Sequence, residues 1–288
     1  MNENENIFSE KIARELNLQA WQVFNTIKLM EGGATIPFIA RYRKEMTGSL
    51  DEVQLALIRD RHEVLVETEK RRAYILSSII EQEKLTPELE RQISEALTLT
   101  ELEDIYLPYK PKRKTRATIA REKGLEPLAQ ILMAQQPIDP ELKAEAFIDE
   151  EKSVTTTGDA LAGARDIIAE WVNESKTSRE RVRNLFTREA MIVSRPVKGK
   201  ELDGMLYQNY FDTRENILKA PSHRVLAMFR GEAEGFLRLS VEPEEEKAVE
   251  MLDRIFVKAE NDAALQVKAA VKDAYKRLLQ PSMETEIR

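Results

Sequence analysis

The chain has 288 residues, no cysteine and a formal net charge of −7. The missing cysteines exclude disulfides and thiolate metal sites, and the negative charge excludes a protein that coats nucleic acid over its whole surface. Only 6% of the residues are aromatic and 10 are glycine, which argues against a sheet-rich sandwich or barrel. The composition predicts an all-α fold, mostly helical and elongated, with at most one or two short strands.

The N-terminal segment predicts a helix-turn-helix. A helix over Gln19–Met30 ends at the pair Gly32-Gly33, and a second helix follows over Pro37–Met46. In DNA-binding proteins of this type the second helix enters the major groove. The second helix carries three cations: Arg41, Arg43 and Lys44. The same charges are typical of a solvated helix surface, and Glu45 lies beside them.

The next segment predicts one long helix. Ser49 and Glu52 fit a capping box, with Ser49 as the N-cap and Glu52 at the third helical position. Neither proline nor glycine follows until Pro87, so we expect a helix of about 34 residues, roughly 50 Å long, which is typical of a strut. A short helix capped by Thr86 and a helix that stops before Pro108 complete this region.

A basic connector is predicted over residues 105–117. This stretch and the residues just after it carry six cations and no acid: Lys110, Lys112, Arg113, Lys114, Arg116 and Arg121. Pro108 and Pro111 break any helix and predict extended backbone, on which cations can meet a row of phosphates. Tyr106 and Tyr109 could stack on bases. Alternatively, the cations pair with nearby acids of the chain and the two tyrosines anchor the connector.

The remaining chain predicts further helices. We expect four regions: a helical domain over residues 1–104, the basic connector over 105–117, a second helical region over 118–242 and C-terminal helices over 243–288. Thr118–Ala134 is predicted to be helical, and the tail Gln280–Arg288 is expected to fray. Phe236–Val241 alternates apolar and polar residues and is the one strand that the sequence predicts.

Three stretches resemble the Tex family of bacterial transcription accessory proteins. They are GGATIPFIARYRKEMTGSLDE at Gly32–Glu52, LEDIYLPYKPKRKTRATIAREKGLEPLA at Leu102–Ala129 and KGKELDGMLYQNYFDTRENILKAPSHRVLAMFRGEAEG at Lys198–Gly235. They stand in the family's order, and the resemblance extends over essentially the whole chain. The family pattern continues into a YqgF domain, helix-hairpin-helix repeats and an RNA-binding OB-fold, so the chain resembles the family's N-terminal helical region only.

The sequence carries no enzyme signature. It has no phosphate-binding glycine loop and no serine nucleophile elbow, and His62 and His223 lie far apart without metal-ligand spacing. We therefore predict no enzyme activity, catalytic residue, metal, cofactor or small-molecule substrate. The first residues lack the apolar segment of a secretory signal, and no apolar run approaches the roughly 18 residues that span a membrane. A cytoplasmic protein with no membrane partner is expected.

The resemblance implies a transcription-related function, and two forms of it stay open. In the first, the connector cations and the cations of the second helix bind RNA or DNA phosphates without sequence preference, in a salt-dependent manner, while the chain positions downstream RNA-binding domains. In the second, the chain is a helical scaffold that docks RNA polymerase or another component of transcription or translation. The scaffold makes no nucleic-acid contact of its own, and its connector cations pair with acids.

Overall fold

The computed structural model describes residues 3–111 and 114–288, and it confirms the mostly helical fold. The chain divides into an N-terminal unit, Met1–Tyr109, and a C-terminal unit, Lys110–Arg288. Over the described ranges, no helix is both long enough and apolar enough to pass through a bilayer.

The N-terminal unit is built from helices alone over its described residues. They are α1 (Glu3–Leu16), α2 (Ala20–Glu31), α3 (Ile36–Tyr42), α4 (Lys44–Thr47), α5 (Glu52–Glu81), α6 (Pro87–Glu95) and α7 (Leu99–Tyr106). The long helix α5 carries two apolar clusters along its length. Its first half packs with α1, α2 and α3 around Ile12, Val23, Ile39 and Ile58. Its second half packs with α6 and α7 around Ile79, Ile93, Leu102 and Tyr106.

The start of α5 differs from the prediction. Ser49 has a φ of 64°, a left-handed conformation, whereas the N-cap is Asp51 in extended backbone. Asp51 Oδ1 accepts a bond from Gln54 N at 2.8 Å, and Gln54 Oε1 accepts one from Asp51 N at 3.1 Å. The predicted Ser49–Glu52 capping box was therefore wrong by two positions. The predicted Thr86 cap is confirmed, since its hydroxyl accepts a bond from Leu89 N at 3.2 Å.

The helix-turn-helix is present, but its second helix is shorter than predicted. The turn contains Gly33 at a φ of 86°, and the predicted Pro37–Met46 helix breaks at Arg43 into α3 and α4. Two α2 side chains donate to the last carbonyls of α4: Asn25 Nδ2 to Met46 O at 2.8 Å and Gln22 Nε2 to Thr47 O at 3.1 Å. These bonds hold α4 against α2, so that α4 does not continue α3.

The C-terminal unit packs helices around one long central helix. Its helices are α8 (Arg116–Glu122), α9 (Glu126–Met133), α10 (Pro140–Glu145), α11 (Thr157–Glu174), α12 (Lys176–Glu189), α13 (Ser222–Ala233), α14 (Glu245–Phe256), α15 (Asp262–Ala274) and α16 (Gln280–Ile287). A 3-10 helix covers Met205–Tyr210, and a π-helical turn covers Tyr275–Leu279. Helix α11 contacts α8, α9 and α15 and buries Ala164, Ile167, Ile168 and Val172 in the core.

Three predictions for this unit were wrong. The predicted Thr118–Ala134 helix is divided into α8 and α9, because Gly124 between them has a φ of 80°. The connector was expected to be extended, but α8 already begins at Arg116, where Thr115 caps it by accepting a bond from Thr118 N at 3.0 Å. The C-terminal tail is also ordered rather than frayed, since α16 packs Met283 into the core.

A three-stranded antiparallel sheet, in the order β2-β1-β3, completes the C-terminal unit. Its strands are β1 (Met191–Pro196), β2 (Thr213–Asn216) and β3 (Leu237–Glu242). Only β3 was predicted, and three strands exceed the expected one or two, because β1 is stabilised by partners far along the chain. The outer edge of β3 is closed by carboxylates: Leu239 N donates to Glu232 Oε1 at 3.1 Å and Val241 N to Glu284 Oε1 at 2.8 Å. These bonds occupy amides that would otherwise pair with another strand.

Candidate nucleic-acid interface

The described cations of the basic connector differ in their exposure and in whether they pair with a carboxylate. Lys110 and Arg116 are exposed, and neither forms an ion pair with any described residue. Lys114 Nζ lies 3.6 Å from Glu122 Oε2, but both side chains are more than half exposed. Such a pair contributes little and leaves the lysine free to bind another anion. Lys112 and Arg113, which were also predicted to bind, lie outside the described residues.

Arg121 is held inside the C-terminal unit. Its guanidinium bonds to Glu170, a carboxylate only 6% exposed, and lies 3.5 Å from Glu126 Oε1. Thr115 Oγ1 donates to Glu170 Oε1 at 3.3 Å. Burial by itself would lower the pKa of Arg121, but the two carboxylates outweigh that effect and raise the pKa. Arg121 therefore differs from the expected free cation: its charge is balanced by carboxylates of its own unit.

The connector tyrosines are anchors. Tyr106 is buried, its hydroxyl lies 2.9 Å from Ser78 Oγ, and its ring meets Tyr74 edge-on at 6.3 Å. Tyr109 packs against the same cluster, and its carbonyl accepts a bond from Gln82 Nε2 at 3.0 Å. Base stacking by Tyr106 is therefore excluded, because no base could reach its ring.

The cations of α3 and α4 are more accessible. Arg41 and Lys44 are exposed. Arg43 is half-buried, with its guanidinium over the Phe38 ring at 5.3 Å and Nη1 donating to Tyr42 O at 3.2 Å. None of these three cations forms an ion pair with a carboxylate in the described part of the chain.

Two aromatic rings lie among these cations. Phe38 is 40% exposed and Tyr42 is 63% exposed, and their ring centroids are 5.3 Å apart at an angle of 44°. We call the five residues Phe38, Arg41, Tyr42, Arg43 and Lys44 the α3–α4 patch. The sequence pattern predicted the three cations, but Phe38 and Tyr42 were not predicted. The signal was present, because aromatic residues four positions apart share one face of a helix.

This combination has a defined chemistry. Cations bind phosphates, and exposed aromatic rings stack on unpaired bases, at about 1–3 kcal/mol per base. The contact between Arg43 and Phe38 orients the guanidinium before any ligand arrives. The α3–α4 patch therefore offers both kinds of contact that a single-stranded nucleic acid requires.

In the described ranges, no group of three His, Cys, Asp or Glu side chains is placed to hold a metal ion. His62 makes an edge-on contact with the Phe8 ring at 6.1 Å, as expected of a packing residue.

Two protein-family models match the chain. The model of the Tex-like protein N-terminal domain matches residues 6–80, and the Tex central region-like model matches residues 135–288. The α3–α4 patch lies within the first match, whereas the basic connector lies between the two.

Three relatives illustrate the range of similarity. The chain is 41% identical to the YdcI protein of Bacillus subtilis, over 98% of the chain and 40% of the relative. It is 45% identical to the transcriptional accessory protein Tex of Neisseria gonorrhoeae, over 80% of the chain and 30% of the relative. It is 30% identical to the human S1 RNA-binding domain-containing protein 1, over 77% of the chain and 23% of the relative. The chain thus spans less than half the length of these relatives.

Proposed function

Since the chain belongs to the Tex family, we propose that it binds nucleic acid without sequence preference through local basic patches and positions the RNA-binding domains of longer family members. The role is binding rather than catalysis, and its place is the cytoplasm, beside the transcription machinery. The names of two relatives, a transcriptional accessory protein and an S1 RNA-binding domain-containing protein, support this proposal.

The observation that carries the proposal is the α3–α4 patch. Its three cations have no ion pair among the described residues, so binding a phosphate breaks no internal pair. Exposed Phe38 and Tyr42 add base stacking, which requires unpaired bases and therefore favours a single strand over a duplex. Among the connector residues that the structure describes, Lys110 and Arg116 form no ion pair and add phosphate contacts.

A salt titration tests the proposal. Fluorescence polarisation is measured with a labelled oligo(U) RNA of about 12 nucleotides and with a duplex DNA of the same length. The three cations of the α3–α4 patch together with Lys110 and Arg116 contribute a log-log salt slope of about −3.5 on the single strand and about −4.5 on the duplex, with dissociation constants of roughly 10⁻⁴ to 10⁻⁶ M. Absence of binding at low salt would refute the proposal.

A matched pair of variants locates the site. Changing Arg41, Arg43 and Lys44 to Gln removes three free cations and should lower the affinity for RNA about tenfold. The control changes Arg14, Arg59 and Arg91 to Gln, three exposed arginines of the same unit that lie outside the α3–α4 patch, and it alters the net charge equally. Equal losses in the two variants would mean that net charge, and not the α3–α4 patch, governs binding.

A scaffold is the second candidate. Four leucines of the C-terminal unit are 68–86% exposed: Leu202, Leu206, Leu218 and Leu226. A contiguous exposed apolar patch marks a protein docking surface, so this candidate requires the four leucines to act together as one surface. The candidate predicts that purified RNA polymerase binds the chain and that Leu202→Ser with Leu206→Ser weakens this binding. A polymerase that does not bind the unaltered chain would eliminate this partner.

A further inference from the structure

The open face of the three-stranded sheet carries three arginines that sequence analysis did not group. Arg195 of β1 pairs in register with Arg238 of β3, and Val193 of β1 pairs with Arg214 of β2. Paired residues of antiparallel strands project to the same face, and so do residues two apart along one strand. Arg195, Arg214 and Arg238, which we call the sheet-face arginines, therefore share one face, and all three are exposed.

This arrangement is unfavourable without a counter-charge. Directly opposed residues of an antiparallel pair have Cβ atoms about 4.5–5.5 Å apart, so the like charges of Arg195 and Arg238 destabilise the pairing. Arg214 stands diagonally from Arg195, about 7–8 Å away. No carboxylate of the described residues forms an ion pair with any sheet-face arginine. The three guanidinium groups therefore have no partner within ion-pairing distance among the described residues.

The sheet-face arginines line a cleft of about 430 Å³ that also has an acidic side. Four glutamates contribute to it: Glu242, Glu244, Glu245 and Glu246. Two of them are engaged elsewhere, since Glu245 pairs with Lys276 at 2.9 Å and Glu242 accepts a bond from Gln280. Glu244 and Glu246 are exposed, and neither pairs with a cation in the described ranges. The cleft therefore combines the three arginines of the sheet with two unpaired glutamates, Glu244 and Glu246, at the start of α14.

The arginines and glutamates of the cleft favour a single-stranded nucleic acid over a duplex. The N–H groups of a guanidinium match the spacing of phosphate oxygens, so the three arginines are suited to bind a phosphate. A duplex presents two rows of phosphates, and the second row would meet Glu244 and Glu246. A single strand can turn its phosphates toward the arginines and its bases, whose amino groups are donors, toward the glutamates.

We propose that this cleft binds a phosphate of single-stranded nucleic acid through the guanidinium groups of Arg195, Arg214 and Arg238. The ligand class rests on the proposed function, but the site lies outside the α3–α4 patch and outside the basic connector. It is a second, independent contact in the C-terminal unit.

The test measures the affinity of the full chain for the oligo(U) RNA after Arg195, Arg214 and Arg238 are changed to Gln. The expected result is an affinity loss of about tenfold, with a salt slope less negative by about 2. The control changes Arg181, Arg188 and Arg254 to Gln, which are exposed arginines of the same unit away from the cleft, and should leave both values unchanged. RNA with a 5′-phosphate and RNA with a 5′-hydroxyl separate a terminal phosphate from a backbone phosphate.

The outcomes distinguish this inference from the proposed function. If the sheet-face variant binds RNA like the unaltered chain while the α3–α4 variant is weakened, the inference fails and the proposed function stands. If no form of the chain binds RNA, both fail. An equal loss of duplex affinity would overturn the assignment to single strands.

The melting temperature of the sheet-face variant, measured without RNA, shows whether a loss of affinity comes from misfolding. The sheet-face variant should melt at the same or a higher temperature, because removing the facing guanidiniums relieves repulsion. Should it melt lower, the single variants Arg214→Gln and Arg238→Gln are measured instead. Each is expected to lose affinity about threefold, and no loss in either variant overturns the inference.

Discussion

The α3–α4 patch and the basic connector differ in how available their charges are. Along the sequence the connector is the stronger candidate, with six cations and no acid between Tyr106 and Arg121, whereas Glu45 interrupts the cations near Arg41. In the fold the described cations of the two regions differ in their neighbours. The cations of the α3–α4 patch have no ion pair among the described residues, while Arg121 is held by Glu170 and Lys114 lies near Glu122.

This difference shows that charge density along a chain does not measure the charge available to a ligand. The N-terminal unit holds 13 Lys and Arg against 20 Asp and Glu, whereas the C-terminal unit holds 31 of each. The more acidic unit nevertheless exposes free cations. Glu170 lies 49 positions from Arg121 in the sequence, so only folding brings the two side chains together. Availability is therefore a property of the tertiary neighbours.

The largest expected effect concerns the internal pair. Glu170→Ala removes the buried carboxylate to which the Arg121 guanidinium and the Thr115 hydroxyl donate, and should lower the free energy of unfolding by about 2–3 kcal/mol. Urea unfolding measures this change. Glu122→Ala is the control, because it removes an exposed pair and should cost less than about 0.5 kcal/mol. Similar losses in both variants would remove the distinction between the two kinds of connector cation.

A smaller effect is expected at the rings of the α3–α4 patch. Tyr42→Ala removes a stacking surface and should weaken oligo(U) binding about tenfold, which corresponds to about 1.4 kcal/mol, with little effect on duplex DNA. Tyr74→Ala is the matched control, since Tyr74 is also an exposed tyrosine of the N-terminal unit. If both tyrosines matter equally, or if duplex binding falls as far, stacking at the patch is not the cause.

The free connector cations should contribute less. Lys110→Gln combined with Arg116→Gln removes two phosphate contacts, so the affinity for RNA should fall about threefold and the salt slope should become less negative by about 1.4. Arg121→Gln should leave the affinity unchanged, because that side chain is already engaged by Glu170. A larger affinity loss for Arg121→Gln than for the double variant would reverse the comparison.

The smallest effect concerns a paired cation of the N-terminal unit. Arg61 Nη2 donates to Glu15 Oε1 at 2.9 Å, and this hydrogen bond lowers the pKa of Glu15 below its ordinary value of 4.5. Because the folded pKa is the lower one, the pair stabilises the fold fully above pH 4.5 and loses this contribution as the pH falls through the folded pKa. Glu15→Gln should flatten the acid limb of unfolding measured below pH 4.5. An unchanged acid limb would show that the pair contributes nothing.

Sequence alone determined most helices and several of their ends. Thr86 and Pro87 start α6, Gly32 and Gly33 end α2, and the alternation around Leu237 marks β3, because these signals act over a few residues. A helix satisfies its backbone hydrogen bonds within four positions, so its pattern can be read locally.

The tertiary structure alone decided the helix break at Arg43 and the strands β1 and β2. It also decided which cations pair with carboxylates. Each depends on groups distant in sequence: α2 side chains hold α4, β1 pairs with β3 more than forty positions away, and Glu170 reaches Arg121. The same dependence grouped the sheet-face arginines, whose neighbourhood exists only once β1 lies between β2 and β3. Non-local pairing is invisible to a pattern read over a few residues, since the partner that stabilises it lies elsewhere in the chain.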